Sequence, residues 1–173
     1  MIVVLMGYMG SGKSTVGREL ATLLKYSFID LDEYISEKEN ASISVLFEKK
    51  GEIYFRKKES QYLNDILNTA KDVVLSLGGG TPCYGNNINL MLGKEHLKLF
   101  YLKLSIPVLV QRLLKEKDAR PMINHIASKE ELIEFIGKHL FERSYYYNKA
   151  NYIIKGDEKS KKDIAEEIVM RLI

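Results

Sequence analysis

Gly7-Tyr8-Met9-Gly10-Ser11-Gly12-Lys13-Ser14 follows the apolar run Ile2-Val3-Val4-Leu5-Met6 and precedes a segment in which Val16, Leu20, Leu23 and Leu24 recur at helical spacing. The first run is short, continuous and closed by a glycine, as expected of a strand buried on both faces. The later spacing puts one apolar stripe on a helix. Between them stands G-x-x-x-x-G-K-[ST], in the strand–loop–helix setting that gives this pattern its meaning. Glycines let the backbone turn sharply and bring bare N–H groups against phosphate oxygens, and the helix adds the positive end of its dipole. Gly10, Ser11, Gly12, Lys13 and Ser14 are therefore expected to bind the phosphates of ATP. Lys13 would reach the β- and γ-phosphates, and the Ser14 hydroxyl would ligate Mg²⁺.

Apolar runs of the same kind recur at residues 27–31, 73–77, 98–102 and 151–154. Helical patterns separate them. Tyr62, Leu63, Ile66 and Leu67 form one stripe, and Ile164, Ile168 and Leu172 another. Ser128 with Glu131 reads as a capping box ahead of Leu132, Ile133, Ile136 and Leu140. Strands alternating with helices predict an α/β fold: a three-layer αβα sandwich around a central five-stranded parallel sheet with right-handed crossovers. Ligands in such sheets bind beyond the carboxyl ends of the strands. The phosphate loop, the Asp30-Leu31-Asp32 segment and Gly78-Gly79-Gly80 all fall at such ends and should converge on one site.

Composition narrows the rest. A chain of 173 residues fits a single domain over 1–173 with a sizeable core, and it shows no internal repeat. The net charge of +3 is small and dispersed, which argues against a nucleic-acid partner. Cys83 is the only cysteine, so no internal disulfide is possible and no oxidising compartment is called for. The histidines, His96, His125 and His139, match no metal-ligand spacing. The apolar N-terminal run is too short for a signal peptide or a membrane span, so a cytoplasmic protein is expected.

The acceptor side is read from three features. Asp30 and Asp32, two residues apart at a strand end, share a face, so one would serve Mg²⁺ while the other accepts hydrogen bonds from a substrate hydroxyl. Asp32 also suits a helix N-cap. Arg56 lies between Glu52 (i−4) and Glu59 (i+3), which taken alone is a surface ion-pair ladder. Three successive glycines at 78–80 would let a ligand lie against the backbone. Asn148-Lys149-Ala150-Asn151 falls short of the guanine-reading Asn-Lys-x-Asp, and no protein-kinase signature set is present.

Taken in order, these residues resemble shikimate kinase. The resemblance runs almost end to end. It includes the phosphate loop extended to Thr15, the Asp30-x-Asp32 pair, and Ser44-Val-Leu-Phe-Glu-x-x-Gly51-Glu-x-x-Phe55-Arg56-x-x-Glu59. It continues through the triple glycine, Arg120-Pro121, and Glu142-Arg143 with Tyr147. It implies transfer of the ATP γ-phosphate to the 3-hydroxyl of shikimate, a step towards chorismate and the aromatic amino acids, by a monomeric enzyme. By resemblance Arg56 and Arg143 bind the shikimate carboxylate and Gly78, Gly79 and Gly80 line its pocket. Asp32 holds and polarises the ring hydroxyls, Asp30 reaches Mg²⁺ through water, and Glu59 holds Arg56 in place. Residues 32–60 form the substrate-binding segment and 113–127 a mobile lid whose Arg120 acts on the transferring group. Arg112 is expected beside the adenine. Leu77, Thr81-Pro82-Cys83, Tyr145, Tyr146 and Lys149 depart from the usual family pattern. Gluconate and nucleoside monophosphate kinases are the nearest rival readings. A catalytically idle binding module is a rival of another class, whose signature would be loss of Lys13, Asp32 or an acceptor arginine.

Overall fold

The computed structural model describes residues 1–116 and 122–173. Strands β1 (Ile2–Met6), β2 (Ser27–Asp30), β3 (Val73–Ser76), β4 (Leu97–Lys103) and β5 (Tyr152–Lys155) form one parallel sheet in the order β2-β3-β1-β4-β5. Each lies within a residue or two of the apolar run that predicted it. β1 is central and fully buried, which is why it carries no alternation of polar side chains.

Side chains alternate across the sheet, and two cores follow. Ile2, Val4 and Met6 of β1 face one core, with Leu75 of β3 and Leu99 of β4. That core is covered by α2 (Leu31–Glu39), α3 (Ile43–Thr69), α4 (Asn87–Leu92), α5 (Ile106–Glu116) and α6 (Lys129–Tyr147). Val3 and Leu5 face the other core, which α1 (Lys13–Leu24) and α7 (Lys161–Leu172) close through Val16, Leu20, Ile164 and Ile168. The result is the three-layer αβα arrangement that the alternating pattern predicted.

Local details depart from the sequence reading in instructive ways. The period-2 argument placed Asp30 and Asp32 on one strand face. Instead β2 stops at Asp30, which is itself the N-cap of α2: its Oδ1 accepts the N–H groups of Asp32 (3.1 Å) and Glu33 (3.4 Å). Asp32 therefore projects from the first helical turn and is not the cap. Ser128 Oγ does accept the Glu131 N–H, but Glu131 answers to the N–H of Ala127. The reciprocal capping box forms at Ser160 and Asp163. Ile133, a hundred degrees round the helix from Leu132, is 42% exposed, and Leu23 in the last turn of α1 is 43% exposed. The stripe around Leu63 belongs to the long α3, which bends at Gly51 (φ 82). No helix among the described residues is long and apolar enough to cross a membrane.

Candidate active site

The donor end is built where β1 runs into α1. Gly12 stands at the helix N-cap in the left-handed region (φ 89, ψ 17), and no side chain caps α1. A side chain other than glycine's would strain that conformation. The opening N–H groups of the helix are thus left for an anion, which the helix dipole also favours. The Lys13 ammonium donates to the carbonyls of Gly7 (2.9 Å) and Tyr8 (3.0 Å), closing the loop on itself. Arg112 reaches across from α5 to donate to the Gly10 carbonyl at 3.3 Å. A cavity of about 350 Å³ opens here, lined by Gly10, Gly12, Lys13, Ser14, Thr15 and Asp30 among others.

The Ser14 hydroxyl donates to Asp30 Oδ2 at 2.5 Å and lies 3.5 Å from the Ser76 hydroxyl at the end of β3. Asp30 thus divides its oxygens: one caps α2 and the other faces Ser14. A hydroxyl and a carboxylate at one point are the hard oxygen donors that Mg²⁺ takes. No cluster of three or more His, Cys, Asp or Glu suited to a metal exists among the described residues.

The acceptor end is a second cavity of about 270 Å³, lined by Asp32, Arg56, Arg143 and the glycines 78–80, with Phe47 and Phe55 as its apolar wall. α3 delivers Arg56 just beyond its bend, and the Arg56 Nη1 donates to Glu59 Oε2 at 2.8 Å. Both rungs of the expected ladder form, but only Glu52, 3.5 Å from Arg56 Nε, is a surface partner; Glu59 is 1% exposed and pairs with Arg56 from inside the fold. Arg143, on α6, is buried as well. The Tyr147 hydroxyl, one helical turn on, donates to the Gly79 carbonyl at 2.6 Å and ties α6 to the glycine turn. Behind Arg143, the hydroxyl of Tyr8 shares a 3.0 Å hydrogen bond with His139 Nδ1. Burial and the nearby Arg143 push that imidazole down to about 4, so it is neutral at physiological pH.

The two cavities share Met9, Asp32, Gly78 and Gly79. Asp32 is the titrating group at that junction. Burial, with the neighbouring charges of Asp30 and Glu59, pushes its carboxyl up to about 6 against the opposing pull of Lys13 and Arg56. A carboxylate poised that near neutrality suits proton transfer at physiological pH.

Every expected site residue that lies among the described residues is thus gathered at the carboxyl ends of β1, β2 and β3. Arg120, with Pro121 and the centre of the expected lid, lies outside the described residues. Sequence reasoning missed Ser76, Tyr84 and the role of Thr81. Thr81 registered only as a departure from the family pattern, and nothing in a lone serine at a strand end marks it as a neighbour of Ser14.

A phosphate loop and an acceptor cavity that meet at one carboxylate define the class: a small-molecule kinase on the phosphate-loop fold. The family profile "Shikimate kinase" matches residues 9–173. A shikimate kinase of Flavobacterium psychrophilum is 45% identical over 96% of this chain and 95% of its own. The crystal structure of shikimate kinase from Bacteroides thetaiotaomicron superposes with a TM-score of 0.88 at 36% identity, covering 99% of this chain and 96% of that one. Shikimate kinase from Acinetobacter baumannii, solved in complex with shikimate, gives 0.82 at 32% identity, covering 99% and 92%. The chain belongs to the shikimate kinase family.

Proposed function

We propose that this chain transfers the γ-phosphoryl group of ATP to the 3-hydroxyl of shikimate, giving shikimate 3-phosphate and ADP. ATP-dependent phosphorylation of shikimate, within aromatic amino-acid biosynthesis, is the activity of its family. The observation that carries the reading is the shared wall of the two cavities. Asp32 faces the donor loop on one side, while the part-buried Arg56 and the buried Arg143 close the other.

Shikimate is a small ring with one carboxylate and three hydroxyls. Its carboxylate suits the planar forks of Arg56 and Arg143, which can each donate in pairs. With the carboxylate held there, the ring hydroxyls are directed to Asp32 and the backbone of Gly78–Gly80. Asp32 in its ionised form accepts a hydrogen bond from the attacking hydroxyl and takes up its proton as the new P–O bond forms. Lys13 and the N–H groups of the loop stabilise charge on the transferring group, and positioning supplies most of the rate. Mg²⁺, held by Ser14 directly and Asp30 through water, would neutralise the phosphate oxygens. By family resemblance Arg120 adds a further positive charge, and closure of residues 113–127 excludes water. We extend the proposal to a cytoplasmic monomer with neither a nucleic-acid nor a membrane partner, in keeping with the small net charge and single cysteine.

The test is direct. Incubation with MgATP and shikimate, gluconate or a panel of nucleoside monophosphates should release ADP with shikimate alone. No shikimate-dependent ADP would sink the assignment.

A further inference from the structure

Arg56 is gripped from two sides by the turn that follows the triple glycine. The turn is a single 3₁₀ element, Thr81–Cys83, with Tyr84 after it. Thr81 is wholly enclosed. Its hydroxyl donates to Glu59 Oε1 at 2.6 Å, while the other oxygen of Glu59 takes the N–H of Arg56 at 2.8 Å. The turn is fixed in its turn by buried Asn87 of α4, whose amide donates to the Thr81 carbonyl at 2.9 Å. At the far end of the turn the Tyr84 ring lies 3.8 Å from Arg56 Cζ, within cation–π range.

Each contact has a distinct physical effect. Glu59 is buried, so an oxygen without a donor would be costly, and the carboxylate would rotate to find one. Rotation would carry the Arg56 guanidinium with it. The Thr81 hydroxyl therefore fixes the carboxylate, and the carboxylate fixes the edge of the guanidinium. The Tyr84 ring fixes its face. An arginine binds a carboxylate bidentately only when its plane is aligned with the acceptor's.

We propose that Thr81 and Tyr84 are positioning residues for substrate recognition, setting the Arg56 guanidinium towards the acceptor's carboxylate, Thr81 through Glu59 and Tyr84 through its ring. This rests on the reading of Arg56 as a carboxylate ligand.

Steady-state kinetics with the full chain decide it. Thr81→Val keeps the shape and removes the hydroxyl. It should raise the shikimate KM about ten-fold, with kcat and the ATP KM within about two-fold. Thr81→Ser should restore the wild-type value. Tyr84→Ala should raise the shikimate KM about three-fold and Tyr84→Phe by less, since the ring faces the cation while the hydroxyl meets Glu52, the exposed partner of Arg56. In an Arg56→Lys background Thr81→Val should add nothing, because its effect passes through Arg56. The proposal is overturned by an unchanged shikimate KM in folded Thr81→Val, or by an undiminished Thr81→Val effect in the Arg56→Lys background. Should Thr81→Val fail to fold, the half-exposed Tyr84 decides: an unchanged shikimate KM in Tyr84→Ala overturns the proposal. Wild-type protein that turns over shikimate while the variants match it refutes positioning alone. Wild-type protein without that turnover refutes the functional reading as well.

Discussion

The Arg56 guanidinium lies where a side chain on Gly80 would begin: a Cβ there would stand 2.7 Å from Nη2 and 3.0 Å from Nη1. Gly80 itself has an ordinary backbone (φ −87, ψ −17), so contact and not conformation demands the glycine. Its neighbours repeat the relation. A Cβ on Gly79 would meet the Arg143 guanidinium at 3.1 Å, and one on Gly78 would meet Asp32 Oδ1 at 3.0 Å. Each glycine of the triplet thus makes room for one of the residues proposed to bind shikimate.

Gly80→Ala should consequently damage recognition and folding together. The guanidinium can move aside only by disturbing its contacts with buried Glu59 and the Tyr84 ring, so the stability loss should be about 1–3 kcal/mol. The displaced Arg56 should raise the shikimate KM about ten-fold, with the ATP KM nearly unchanged. Parallel melting curves and initial-rate kinetics read both effects. An unchanged shikimate KM would remove Arg56 from the carboxylate site.

The two halves of the site should separate under mutation. Arg143→Ala should raise the shikimate KM at least ten-fold, because a carboxylate docked without its partner charge loses several kcal/mol, roughly 2–5. Asp32→Ala should abolish measurable turnover while calorimetry still shows ATP binding, since the phosphates rest on Lys13 and the loop. If Arg143→Ala left kcat/KM for shikimate unchanged, the carboxylate assignment would be wrong.

The state of Asp32 fixes the acid limb of the pH profile. Its carboxyl titrates at about 6, and only the ionised form accepts the hydroxyl's proton. For the free enzyme kcat/KM for shikimate should be level above about pH 6 and fall about ten-fold per pH unit below it. A profile still level at pH 5 would rule out Asp32 as the base.

How much of this was legible in the sequence follows from what each signal depends on. The fold and the donor loop were legible because they rest on local chemistry: apolar runs of strand length, helical stripes, and a loop whose spacing encodes its own geometry. The acceptor residues were not local. Arg56 and Glu59 look like a surface ladder because sequence spacing on a helix cannot tell a solvent face from a face covered by the turn at 81–84. The Asp30–Asp32 pair was found for a wrong geometric reason, since the strand ends at the first of them and the helix begins. Both carboxylates still reach the site because a helix's first turn also projects over the sheet's carboxyl edge. Resemblance to a family supplied the residues. Beyond Glu59, only the fold supplied their partners, Thr81 and Ser76 among them.

Cys83 should be inert in the native protein. Burial pushes its thiol up to about 11 despite the nearby Arg143 and Arg56. At pH 7.5 almost none of it is thiolate, the form that reacts. Alkylation by iodoacetamide should be slower by at least about ten-fold than in urea-unfolded chain. Equal rates would mean that the thiol is neither buried nor perturbed as the fold implies.

Asp32 should also cost the folded protein stability at the pH where it works. Its folded-state value of about 6 lies above the unfolded value of about 3.9, so between these limits the native state binds more protons than the unfolded one. Stability from this group is therefore full below about pH 4, declines as pH rises, and is gone above about pH 6. A two-unit shift sets a ceiling of roughly 3 kcal/mol, and relaxation around a half-buried carboxylate lowers what is realised. Asp32→Asn removes the charge with little change of shape. It should stabilise the apo protein by about 1–2 kcal/mol at pH 7.5 and by close to zero at pH 4, while losing activity. Urea unfolding at the two pH values measures the difference. Equal stability of variant and wild type at pH 7.5 would show that the Asp32 carboxylate carries no such strain.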